Sequence, residues 1–155
     1  MYSQSHFLFS FFIALIFVKF NIFSYEIALL IAVFAVLVDI DHFIKFAVKK
    51  RKYNLREAWN ATTVKHFKER TFLHHLSGFL IFSVIIISLY FINKNVFLVV
   101  GLGYYTHIFL DYANLNVLKI KGKETIKEIG FIERISNFEL IFDIFLTIGI
   151  ILLVL

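Results

Sequence analysis

The chain has 155 residues, 60% of them hydrophobic and 21 of them phenylalanine, with 17% charged and a formal net charge of +5. A soluble helical domain would need polar helix faces that most of this chain lacks, so the composition excludes that class and points to one integral membrane domain over residues 1–155. With no cysteine there is neither a disulfide framework nor a thiolate zinc site, and any transition metal must be held by histidine and carboxylate.

A bilayer core about 30 Å thick takes about 20 helical residues. Five apolar runs approach that length: Phe7 to Phe23, Ile27 to Ala47, Phe72 to Ile92, Val96 to Tyr112 and Phe138 to Leu155. The expected fold is therefore all-α, an integral membrane bundle of about five transmembrane helices. The first run lacks the basic flank and small-residue cleavage site of a secretory signal and reads as a retained span. Two connections are tight, Ser24 to Glu26 and Asn93 to Asn95; two are long and polar, Val48 to Thr71 and Ala113 to Asn137. Nine of the 16 Lys and Arg fall between Lys45 and Arg70 and five between Lys119 and Arg134. By the positive-inside rule both long loops, and with them the N-terminus, are expected to be cytoplasmic. Juxtamembrane charge of this kind reads as orientation and attraction to anionic membrane lipids, and no nucleic-acid partner is expected. The loop "REAWNATTVKHFKER", with Trp59 and His66, reads as an interfacial helix.

With this topology the ionisable residues of every span fall at one depth. His6 precedes the first span. Asp39, Asp41 and His42 lie near the cytoplasmic end of the second, His74 and His75 at the start of the third, His107 and Asp111 near the end of the fourth, and Glu139 and Asp143 near the start of the fifth. About 12 apolar residues precede Asp39 in its span, roughly 18 Å of helix rise, which sets this layer just under the cytoplasmic interface. Asp39, Asp41 and Asp111 stand at helix C-termini, where the partial charge is negative and a cation is favoured. No Lys or Arg is embedded at that depth, whereas neutral imidazole with carboxylate is a ligand set for divalent metals. His107 and Asp111 at i and i+4 share a helix face, as do Asp39 and His42 at i and i+3. Asp41 shares that face only if the helix ends or loosens there. His74 and His75 are about 100° apart on a helix, so one of them is expected to face the bundle. Tyr104, Tyr105 and Tyr112 read as interface packing, and "GLG" at Gly101 to Gly103 as a close helix contact.

At these residues the chain resembles the YdjM-like family of membrane-bound, predicted metal-dependent hydrolases, whose pattern is an early His, a PDIDH segment, an HRGxTHS segment and an SHxxxD segment. The corresponding stretches are "SQSHFLFS" with His6, "LVDIDHF" with Asp39, Asp41 and His42, "ERTFLHHLSG" with Arg70 and His74, and "YTHIFLDYAN" with His107 and Asp111. Val38 replaces the proline, Glu69 the first histidine of the third segment, Thr71 its glycine, and His75 its serine; Glu69 itself or His66 are substitute ligands. That family is distantly similar to zinc-dependent phospholipase C, and the resemblance implies phosphoester hydrolysis and a ligand role for Asp41.

The expected function is a membrane-bound metal-dependent hydrolase of phosphoesters, lipid or lipid-linked, working at the cytoplasmic membrane interface. Asp39, His42, His74, His107 and Asp111 are expected to hold one or two divalent ions, zinc first with manganese or iron as alternatives, and His6 and Asp41 are expected to join them. Asp41 and Arg70 are the candidate catalytic groups, Arg70 because a guanidinium suits a phosphate oxygen. The alternatives are a metal or proton transporter, disfavoured by the apolar runs Val84 to Ile87 and Ile144 to Ile151, and a non-catalytic, metal-stabilised adaptor. Glu139 and Asp143 are expected either to join the site or to support its ligands.

Overall fold

The structure, a computed structural model, describes residues 3–40, 42, 44, 48, 72–113, 124–129 and 132–155. Five helices are described in full: α1 (Ser3–Lys19), α2 (Tyr25–Leu37), α3 (Leu76–Ile92), α4 (Lys94–Ala113) and α5 (Asn137–Val154). A 3-10 turn, Phe72–His74, leads into α3. Strands β1 (Glu124–Ile129) and β2 (Ile132–Ser136) pair antiparallel between α4 and α5.

The helices form because their sequences are continuous apolar runs without proline. Their ends coincide with the polar breaks at Asn21 to Ser24, Asn93 and Asn137. α4 and α5 are long and apolar enough to cross a membrane, while α1, α2 and α3 are apolar but shorter. Two boundaries move relative to the sequence reading. α1 starts at Ser3, so His6 lies inside the helix rather than before it, because the serines of its first turns are bound by side chains across the bundle. α2 ends at Leu37; Val38 N still bonds to Phe34 O, but Asp39 N bonds to Val36 O and His42 N to Asp39 O, the tighter i to i−3 pattern. The helix therefore loosens where its carboxylate must turn inward.

The all-α expectation describes the helical bundle but not the second long loop. In that loop Ile126 pairs with Ile135, Lys127 with Arg134 and Ile129 with Ile132. The β-branched residues of "TIKEI" and "IERI", on either side of a glycine in the sequence, favour strands.

α1 packs against α2, α4 and α5, α4 packs also against α2 and α3, and so α5 and α3 flank a three-helix centre. Burial is the reverse of a soluble domain. Ala28, Ala32 and Ala35 face inward on α2 while Leu29, Leu30, Val33 and Leu37 face outward, and Ile141, Ile144, Phe145 and Ile148 are exposed on α5. Small residues at helix contacts and large apolar residues on the outside are the pattern of a lipid-solvated bundle. Beside its apolar core the interior also holds Ser3, Ser5, His6, Ser10, Thr106, His107, Glu139 and Asp143. This polar lining belongs to one end. At the other, Ala14, Leu15, Ala28 and Ile31 form a closed apolar cluster with Phe11, Val18, Val99 and Leu102 around it.

Candidate metal centre

Four elements bring their polar side chains to the N-terminal end of α1. His6 projects from the second turn of α1, Asp39 from the turns after α2, His74 from the end of the 3-10 turn, and His107 and Asp111 from the last two turns of α4. Each is placed by a specific local feature. Gly78, in the first turn of α3, lets the 3-10 turn lie directly on the helix, since a Cβ there would collide with the Phe72 carbonyl. Tyr104, fully buried between Phe79 and Phe82, donates its hydroxyl to Leu73 O at 2.9 Å, which ties the turn carrying His74 to α4. Tyr104 is thus a core residue and not the interfacial packing residue that the sequence suggested. His75, at the extended position capping α3, is exposed, whereas His74 faces in; the two are parted by the break between turn and helix, not by a 100° helical step.

The donor atoms converge. Asp111 Oδ1 is 3.2 Å from His6 Nε2, and Asp111 Oδ2 is 3.3 Å from His74 Nε2 and 3.6 Å from His107 Nε2. Asp39 Oδ1 is 3.5 Å from His107 Nε2, and the Nε2 atoms of His74 and His107 are 3.2 Å apart. These spacings suit a metal ion. Four ligands at the zinc bond lengths of about 2.0–2.1 Å form a tetrahedron with edges of roughly 3.3 Å. Two sets meet the requirement of mutual proximity, His6 with His107 and Asp111, and Asp39 with His74 and His107, with ligand atoms in each set within 4.8 Å of one another.

His107 is common to both sets, and its orientation is fixed from behind. Its Nδ1–H donates to Ala35 O at 2.8 Å, which leaves the Nε2 lone pair directed into the cluster. That is the tautomer a metal requires, set by a backbone carbonyl in the usual manner of ligating histidines. One lone pair serves one ion, so if two ions share the centre the bridging group is Asp111, whose two oxygens face different histidines. The His6 ring stacks on His107 at 4.0 Å, and Ser3 Oγ donates to Asp39 Oδ2 at 3.4 Å.

The donor set also fits by charge. Three neutral imidazoles and two carboxylates carry −2, which a divalent cation neutralises inside an apolar bundle. Among the residues whose side chains are described, the lysines, Lys19 and Lys94, stand at the opposite helix ends. The site is graded in exposure. His107 and His6 are 0% and 1% exposed, His74 is 9%, and Asp39 and Asp111 are 22% and 25%, so the imidazoles form the floor and the carboxylates the mouth.

Of the residues expected from sequence, His6, Asp39, His74, His107 and Asp111 are brought together. His42 lies beside them, its ring 4.9 Å from that of His74 and outside both candidate sets. Asp41 and Arg70, with Glu69, His66 and Trp59, fall outside the described residues. The sequence reading missed Ser3, Ser5, Ser10 and Thr106. Thr106 Oγ1 donates to Leu102 O at 2.6 Å and accepts from Ser10 Oγ at 2.7 Å, a buried pair one level beyond the histidines. Hydropathy does not show which way a small hydroxyl faces, whether it bonds across the bundle, as Ser3, Ser5 and Ser10 do, or also back to its own helix, as Thr106 does.

The Tyr104 tether gives a direct test of this construction. Tyr104→Phe should leave the bundle folded and weaken zinc binding by about tenfold, as loss of a supporting hydrogen bond around a metal does. Zinc affinity measured by competition with a chromophoric chelator checks it.

The model of the YdjM inner membrane protein family matches residues 1–120. No curated protein and no solved structure matches the chain. The family match runs from the first helix through the HxxxD segment of α4 and so includes all five converging side chains, and the chain belongs to the YdjM inner membrane protein family.

Proposed function

We propose that the protein is a membrane-embedded, metal-dependent phosphoester hydrolase whose centre faces the cytoplasm, with all five helices crossing the bilayer and residues 1–155 acting as one domain. The observation that carries this reading is the convergence of three imidazoles and two carboxylates at ligand spacing, with His107 held in the metal-binding tautomer by Ala35 O. His6, Asp39, His74, His107 and Asp111 are the ligands, and zinc is the metal the donor set suits first. A divalent ion held there supplies Lewis-acid polarisation of a phosphoryl group and a more acidic water.

The chain's own residues divide the remaining work. The buried imidazoles keep water from the floor of the site, and the partly exposed carboxylates give it an open side towards the membrane surface. Opening at headgroup depth suits a lipid or lipid-linked phosphate. Asp41 and Arg70, adjacent in sequence to Asp39 and near His74, are the groups assigned to proton handling and phosphate contact. The five-span topology rests on the outward apolar faces of α2, α3, α4 and α5 and on the positive-inside reading of the two basic loops.

Transport is the weaker reading on a structural ground. Beyond the Ser10–Thr106 pair the interior closes on Ala14, Leu15, Ala28 and Ile31, which offer an ion no donor. Purified protein in detergent, given bis(p-nitrophenyl) phosphate, p-nitrophenyl phosphate and phospholipid in separate assays, should turn over at least one of them. Turnover should be abolished by chelation and restored by zinc. Zinc-loaded protein inert towards all three removes the hydrolase assignment, and zinc-driven uptake into proteoliposomes would replace it.

A further inference from the structure

The polar lining continues past the imidazoles onto α5. Glu139 and Asp143 stand at i and i+4 on that helix, 6% and 9% exposed, facing α1. Ser5 Oγ donates to Glu139 Oε1 at 2.8 Å in a buried contact. Asp143 has Gln4 and Ser5 of α1 and Glu139 of its own helix for neighbours, yet its Oδ1 is buried with no hydrogen-bond partner. Asp143 is six residues into α5, about 9 Å along the helix axis. A carboxylate oxygen left unpaired at that depth is costly, and in membrane bundles such groups mark ion sites or proton relays. Neither acid belongs to the two histidine-containing sets.

We propose that Glu139 and Asp143 form a second cation site, distinct from the imidazole centre, for a hard divalent ion of the magnesium and manganese class. The donors are all oxygen, with no imidazole among them, which selects against zinc and for hard cations. Two carboxylates balance a charge of +2, and ions of this class bind through one or two carboxylates while keeping several waters. The unpartnered Asp143 Oδ1 is then a ligand, and Ser5 is the hydrogen-bond donor that orients Glu139. Ser5 and His6 are consecutive on α1 and both fully buried, so one turn of helix serves two sites of different chemistry.

The site stands whether or not the imidazole centre is catalytic, and the two are separable by metal type. Full-length protein in detergent, first saturated with zinc, is titrated with manganese, and bound manganese is read by electron paramagnetic resonance. The parent should bind one equivalent of manganese beyond its zinc. Glu139→Gln with Asp143→Asn should lose that manganese and keep its zinc, while His107→Ala with Asp111→Ala should do the reverse. Ser5→Ala should weaken manganese binding by about tenfold. A zinc-saturated parent that takes up no manganese overturns the site without recourse to any variant. Undiminished manganese binding in the Glu139→Gln, Asp143→Asn protein, or loss of zinc from it, overturns it equally, the second by showing that these acids only support His6.

Discussion

Protein carrying His107→Ala together with Asp111→Ala should purify with no more than about a tenth of the parent's zinc, the scale of loss that even supporting residues around a metal produce. His107 contributes the donor atom shared by both candidate ligand sets, and Asp111 places an oxygen against each of His6, His74 and His107. The substitution also removes one ring of the His6–His107 stack and the anchor on Ala35 O, so some loss of stability is expected alongside. Elution volume in detergent and thermal unfolding separate that loss from the loss of metal. His107→Gln is the sharper control, since an amide keeps a donor near Ala35 O but is a poor zinc ligand. A double variant with full zinc content would remove the centre, whatever its activity.

The sequence made the common level of these side chains legible and left their neighbours obscure. Histidine and aspartate stood out because Lys19, Lys45 and Glu139 are the few other charged residues inside the apolar runs, and the i, i+4 spacing of His107 and Asp111 placed both on one helix face. The sequence reading tied any loosening of this helix to Asp41, which lies outside the described residues, and gave no sign that α2 ends at Leu37. The expected span runs on to Ala47 across Asp41, His42 and Lys45, whereas α2 is interrupted by a turn at Val38 and Asp39. Nor does the sequence show that α5 packs on α1 rather than on α4, its predecessor in the chain. That contact includes the Ser5–Glu139 hydrogen bond beside Phe9 on Phe142 and Phe12 against Gly149, and a serine in an apolar helix gives no signal of which way it faces. The hairpin lacks period-2 alternation, since Ile126, Ile129, Ile132 and Ile135 recur every third residue, and so its strands gave no clear signal.

Replacing Gly103 by alanine is expected to destabilise the bundle by about 1–3 kcal/mol, the usual cost of forcing atoms into a packed contact, and to weaken zinc binding at the same time. The coupling follows from geometry. A Cβ at Gly103 would stand 2.9 Å from Ile31 O, 3.0 Å from Phe34 Cδ1 and 3.2 Å from Ala35 N, so most of what it meets is backbone that cannot rotate aside. The strain is relieved only by moving α2 away from α4. Ala35, on the displaced face of α2, is the residue whose carbonyl fixes the His107 tautomer, and Asp39 follows one turn later on the same segment. A few tenths of an ångström at Gly103 therefore lengthen the 2.8 Å tether and draw Asp39 away from His107 Nε2. Gly103→Leu, with a longer side chain at the same crossing, should fail to yield folded protein. Gly101 provides the contrast, because its added Cβ would meet Ile86 Cγ2 of α3 at 3.2 Å, a side chain that can yield, on the side of α4 away from α2. Gly101→Ala should thus leave zinc affinity near that of the parent while Gly103→Ala lowers it, and equal affinities in the two variants would break the proposed link between helix spacing and the metal centre.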